Sequence, residues 1–220
     1  MKAIRVIIWK EAHTFLRDRL RLVALMAFAL IFGIYFAGRY GQLFLVPTAL
    51  LMMLAGAYTL SQVAFYKEVS DKTLPNLLAS PITSRTLLFG KSLAVFLFSY
   101  ALELIGVTVC VGFSWFRLGE LPSLASVYTA LVVIPIWGFV FIELFGVIFS
   151  LVRGGVGVWL LTAPLYVAVL LSTLSPKGSP VVDMVLSSLW LPPVAGLGVA
   201  ALLYALMGKL SKDRMTRVAS

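Results

Sequence analysis

From Leu124 to Leu151 the chain carries one charged side chain, Glu143. Leu22 to Gly38, Leu43 to Tyr66, Thr86 to Phe113 and Val156 to Leu174 are built in nearly the same way. Runs of this length constrain the fold more than anything else in the sequence. A helix crossing a bilayer needs about 20 apolar residues, because each residue rises about 1.5 Å and the hydrocarbon is about 30 Å thick. Helices are the default there, since every backbone N–H and C=O must be paired within the segment. A transmembrane barrel would show strands of about ten residues with alternating polarity, and these unbroken runs exclude it. Composition agrees: 61% of residues are hydrophobic, 12% are charged and mean hydropathy is +1.02. Soluble domains average about 45–50% apolar and about 25% charged. The expectation is an all-α integral membrane protein.

The runs predict five spans, and Val194 to Gly208 gives a sixth. That last one is short, which a local thinning of the bilayer accommodates. Pro47 lies near the start of the second span, where a proline is tolerated. Residues 2–20 read as an amphipathic helix. Ile4, Ile7, Ile8, Ala12, Phe15 and Leu16 share one face, while Lys2, Arg5, His13 and Arg17 lie elsewhere and Trp9 suits the headgroup level. Such a helix lies in the interface plane, its basic side chains near anionic lipid. The start lacks a small-residue cleavage site after a short apolar core, so it does not read as a cleaved signal peptide.

Orientation follows from Lys and Arg placement. With the N-terminus inside, only Arg39, Arg117 and Lys177 of the 18 Lys and Arg residues fall outside. The expectation is six spans with both termini in the cytoplasm. Between Leu174 and Val194, SPKGSP signals a turn. Val181 to Leu191 then reads as a short helix dipping back into the outer leaflet, closed off by Pro192-Pro193. The expected domains are an interfacial helix (1–21), a six-span domain (22–208) and a basic cytoplasmic tail (209–220). Within the second lie a cytoplasmic loop (67–85) and an outer re-entrant segment (175–193).

The longest polar interruption is Phe65 to Lys91, which carries Lys67, Glu68, Asp71, Lys72, Arg85 and Lys91. Its middle, Leu74-Pro75-Asn76-Leu77-Leu78, is an apolar ridge. A plain solvent loop has no use for that ridge. A segment that presses against another protein at the inner membrane surface does.

Signs of bond chemistry are weak. Gly90-Lys91-Ser92 looks like the end of a phosphate-binding loop, but Arg85 stands where that motif needs its first glycine. Cys110 and His13 are the only residues of their kinds, so no CxxC pair or multi-histidine site exists. Cys110 reads as packing and His13 as solvated. Glu103 and Glu143 lie inside spans, where a charge costs about 2.5–3.5 kcal/mol on insertion scales. Each is either a neutral acid bonded to a neighbouring helix or a group on a substrate or proton path. A membrane enzyme acting on a lipid-linked substrate through these two acids is the competing reading.

The loop reads Glu68-x-x-Asp71-Lys72-Thr73-Leu74-x-x-Leu77-Leu78-x-Ser80-Pro81, then Leu87, Leu88, Gly90 and Lys91. Together with the basic leading helix and six spans, it resembles the membrane subunit of type-2 ABC exporters. That family's loop commonly reads E-x-x-x-G-T-L-E-x-L-L-x-S-P, followed by a Lys-bearing helix start. Lys72 replaces the usual Gly, and Pro75 the usual Glu. The segment Gly146 to Leu165 is similar to the haem-exporter B branch, which serves cytochrome c maturation. The resemblance implies a permease in the cell membrane that exports an apolar or amphiphilic substrate. It also implies a second permease copy or a related chain, and a soluble ABC ATPase that holds the ATP and Mg. No cofactor and no catalytic residue is implied in this chain, and no nucleic-acid partner. The loop would contain a short coupling helix. Leu74, Leu77 and Leu78 would fill a groove of the ATPase, with Glu68, Asp71, Lys72, Ser80 and Pro81 around them. Glu103 and Glu143 would lie along the substrate path.

Overall fold

A computed structural model describes residues 2–40, 45–66, 82–119, 121–151 and 191–209. The expected fifth span, the loop from 67 to 81, the outer segment up to 190 and the tail from 210 lie outside the described residues. Among the described residues the structure is helical, with short turns and no strand. The helices are α1 (Lys2–Arg17), α2 (Arg19–Tyr40), α3 (Leu45–Ser61), α4 (Ser84–Leu118), α5 (Leu124–Tyr128), α6 (Ile134–Leu151) and α7 (Leu191–Met207). Single π-helical turns extend α3 (Gln62–Tyr66) and join α5 to α6 (Thr129–Val133). Among the described residues three rods are long and apolar enough to cross a membrane: Leu45–Phe65, Ser84–Leu118 and Leu124–Ile148.

The central element is α4, which packs against α1, α2, α3, α6 and α7. Its ends are set by local chemistry. Thr83, in extended conformation, caps the start by accepting the Thr86 N–H at 3.2 Å. Gly119 ends it at φ 70°, its N–H bonded to the Trp115 carbonyl. That left-handed conformation is open to glycine at little cost and strained for most residues. The sequence predicts a polar turn from Ser114; instead the helix runs on through Trp115 and Arg117 to this glycine. At 35 residues, α4 is about 52 Å long and overshoots the hydrocarbon by roughly 20 Å.

Two departures from regular helix have identifiable causes. Pro135 has no N–H to give the carbonyl of Leu131, four residues earlier. The π turn Thr129–Val133 lies just before it, and Tyr100 on α4 turns its hydroxyl toward the freed oxygen at 3.4 Å. At the other end of the core, the π turn of α3 leaves the Ala64 carbonyl to accept from Lys91. The last span opens at Leu191 among the described residues, three residues before the expected Val194. Pro192 and Pro193 both lie in the first turn of α7, which begins at Leu191. Missing N–H donors are harmless in a first turn.

The core is the three-helix contact of α3, α4 and α6, filled by Met53, Ala57, Leu60, Val95, Ile142 and Phe145. Small residues let these helices approach, as they do where lipid offers no hydrophobic drive between spans. A Cβ on Gly56 would meet the backbone Cα of Ser99 at 3.1 Å, and one on Gly138 would strike Met53. Gly56→Leu therefore overpacks the α3–α4 seam and is expected to cost about 1–3 kcal/mol, seen as a lower melting temperature in detergent. A Cβ on Gly112, further along α4, would meet nothing within 4 Å. Gly112→Leu is accordingly expected to melt as the wild type.

Candidate functional site

The first turns of α4 carry a buried ion pair and a cation stacked on a ring. Lys91 is 2% exposed, at a point where a lysine has no water to solvate its ammonium group. Its Nζ lies 3.2 Å from Oε1 of Glu11 on α1, and Glu11 is itself only 3% exposed. The same Nζ donates to the Ala64 carbonyl at the end of α3 and stands 5.8 Å from the Phe65 ring centroid. Carbonyls in the last turn of a helix lack intrahelical donors, and the helix dipole places partial negative charge there. An ammonium group is well suited to that position.

Less than two turns before Lys91, Arg85 joins a different element. Its guanidinium carbon lies 4.0 Å over the Tyr204 ring of α7, and its Nε donates to the Tyr204 carbonyl at 3.2 Å. Phe89 fills the space between, edge-on to Tyr204 at 4.9 Å and to Phe139 of α6 at 6.2 Å. The first turns of α4 are therefore tied to α1, to the end of α3 and to α7 at once.

Sequence reasoning placed Arg85 at the end of the loop and Lys91 at the start of the third span, and it did not single out Glu11. The signal for Glu11 was present. Ile7, Glu11 and Phe15 recur every four residues and form the buried face of α1. An acid in the middle of such a ladder needs a buried cation. The predicted apolar face of α1 needs one correction: Leu16 is 57% exposed, because its angular position falls one residue past that ladder. The Trp9 and His13 rings stack at 5.7 Å on the exposed side. The Gly90-Lys91-Ser92 pattern sits within regular helix, with Lys91 engaged by Glu11.

The remaining predicted site residues divide into two groups. Glu68, Asp71, Lys72, Leu74, Leu77, Leu78, Ser80 and Pro81 lie outside the described residues. Glu103 on α4 and Glu143 on α6 are both fully buried, and neither carboxyl has a hydrogen-bond partner among the described residues. The hydroxyls of Thr48, Ser61, Ser92, Ser99 and Ser114 share that condition on α3 and α4. The structure does not bring the two acids together. A Cβ on Gly146 would lie 3.7 Å from Ser92 Oγ, which sets Glu143 about level with Val95. Glu103 is then about 12 Å further along α4. Two carboxyls at such different depths do not form a paired acid–base site. Among the described residues no group of three or more His, Cys, Asp or Glu could hold a metal ion. Cys110 is buried, as a packing residue should be.

No model of a known protein family matches the chain, and no curated protein matches it.

Removing one member of a buried ion pair strands the other, whereas replacing both with apolar side chains is often neutral. Lys91→Met is expected to destabilise the protein by about 3–5 kcal/mol. Adding Glu11→Leu is expected to restore most of that loss. Thermal unfolding of the three proteins in detergent measures both effects.

Proposed function

We propose that this chain is the membrane permease subunit of an ATP-driven transporter of the type-2 ABC exporter kind. It spans the cell membrane six times with both termini in the cytoplasm. It pairs with a second copy or a related chain, and a separate soluble ATPase binds and hydrolyses ATP. The cargo is apolar or amphiphilic. The ATPase docks on the 67–85 loop through the ridge Leu74, Leu77 and Leu78, with Glu68, Asp71, Lys72, Ser80 and Pro81 around it.

The observation that carries this reading is the ridge itself, an apolar patch in the longest polar stretch of a lipid-soluble chain. The flanks of that stretch add support. Ala64 before it and Lys91 after it are hydrogen-bonded to each other, so the stretch leaves and re-enters the bundle at one place. A segment anchored in this way can deliver a push to the helices on either side of it. Closure of the ATPase pair on ATP supplies the push, a rigid-body movement of the kind that drives many switching proteins. The separation of Glu103 from Glu143 weighs against the competing reading of a membrane enzyme.

The test substitutes the ridge. Leu77→Asp and Leu78→Asp are each expected to abolish transport and co-purification of the soluble ABC ATPase, while the chain still inserts in the membrane. Normal ATPase binding by both variants would remove the ridge from this role.

A further inference from the structure

We propose that α1 and the inner half of α4 move as one body, latched by the Glu11–Lys91 ion pair, and that these two residues position both helices to follow the 67–81 segment. This inference rests on the permease reading above and names the residues that carry the movement onward.

Three contacts run side by side along the two helices. Ile7 lies against Gly90, where an added Cβ would come within 3.0 Å of the isoleucine Cγ2. Glu11 meets Lys91 at 3.2 Å. Phe15 meets Phe98 edge-on, with ring centroids 5.2 Å apart. The two outer contacts are eight residues apart on each helix, Ile7 to Phe15 and Gly90 to Phe98, and the long Lys91 side chain reaches from beside Gly90 to Glu11 between them, so the seam holds at more than one point. The middle contact differs in kind from its neighbours. Apolar contacts tolerate a slide of one helix along the other, because one methyl group replaces another at little cost. A buried ammonium does not tolerate it, since leaving Glu11 would strand two charges away from water. Lys91 also holds the Ala64 carbonyl, which fastens the end of α3 to the same point. The exit and re-entry of the 67–81 segment are thereby joined to α1 through one nitrogen atom. From α1 the chain passes into α2 across a single residue, Asp18, whose carbonyl accepts the Leu22 N–H at 3.1 Å and whose carboxylate meets Arg21 at 3.2 Å. A displacement of the segment thus reaches α4 directly and α2 by way of α1.

The experiment uses the full chain co-expressed with the soluble ABC ATPase and reconstituted in lipid nanodiscs, with ATP hydrolysis as the readout. In a Cys110→Ser background, Ile7→Cys and Gly90→Cys place two thiols where the structure brings the helices closest. Ile7→Cys also removes the methyl groups that a side chain at position 90 would strike. The pair is expected to form a disulfide, and the oxidised complex is expected to hydrolyse ATP at the rate it shows after reduction with dithiothreitol. Failure to cross-link, or a loss of hydrolysis on oxidation that reduction restores, overturns the single-body claim.

The second arm separates positioning from packing. The apolar pair Glu11→Leu/Lys91→Leu is expected to melt as the wild type and to retain the ATPase on purification. Its hydrolysis is expected to fall to that of the ATPase alone, and Lys91→Arg, which keeps both bonds, is expected to preserve it. Wild-type hydrolysis by the apolar pair overturns the role given to Glu11 and Lys91. If the wild-type chain captures no ATPase, the permease reading itself fails, a result distinct from either of these.

Discussion

A lysine ammonium shut away from water must be surrounded by oxygen. That requirement, applied to Lys91, organises the end of the bundle where α4 begins. The two oxygens it finds belong to Glu11, eighty residues earlier, and to the Ala64 carbonyl, on the near side of the long polar stretch. A purely apolar contact could hold the same helices at similar free energy, since well-packed hydrophobic replacements of buried ion pairs are often neutral or better. What the ion pair adds is a preferred register. Arg85 does comparable work for α7 through the ring and carbonyl of Tyr204. The two cations at the head of α4 thus draw in elements from both ends of the chain.

Most of the helical architecture could be read from local pattern. Unbroken apolar runs predicted the rods, the helical spacing of Ile4, Ile7, Ile8 and Phe15 predicted an apolar face on α1, and Pro47, read as near the start of its span, lies in the first turn of α3. Local pattern misled where an end or a break depends on a distant partner. The continuation of α4 past Ser114 depends on a glycine that can take a positive φ, and the sequence window read that stretch as polar. The last span was placed three residues late, because composition does not say that Pro192 and Pro193 belong to a helix's first turn rather than to the segment before it. The Glu11–Lys91 pair was beyond any window, because periodicity defines the face of a helix but not what the face meets. The loop ridge, which carries the functional reading, was legible as composition alone.

The interior of the α3–α4–α6 core is more polar than its surroundings require. Ser92, Ser99 and Glu103 recur along one side of α4, and Gly56 brings α3 close to Ser99 there. Buried polar groups in native proteins are nearly always paired, so a cluster of this kind marks a place where structure serves something besides packing. It lies along the central helix between the tied first turns and the far tip, on the path any movement of α4 must take.

The length of α4 has a mechanical consequence. A rod held near one end behaves as a lever, and about 52 Å of helix turns a rocking of about 10° at the base into roughly 9 Å of travel at the far tip. That tip carries Trp115 and Phe116, both exposed. Small tilts at the Lys91 end would sweep these two rings through a wide arc, so the far tip of α4 would feel an amplified copy of what happens at Lys91.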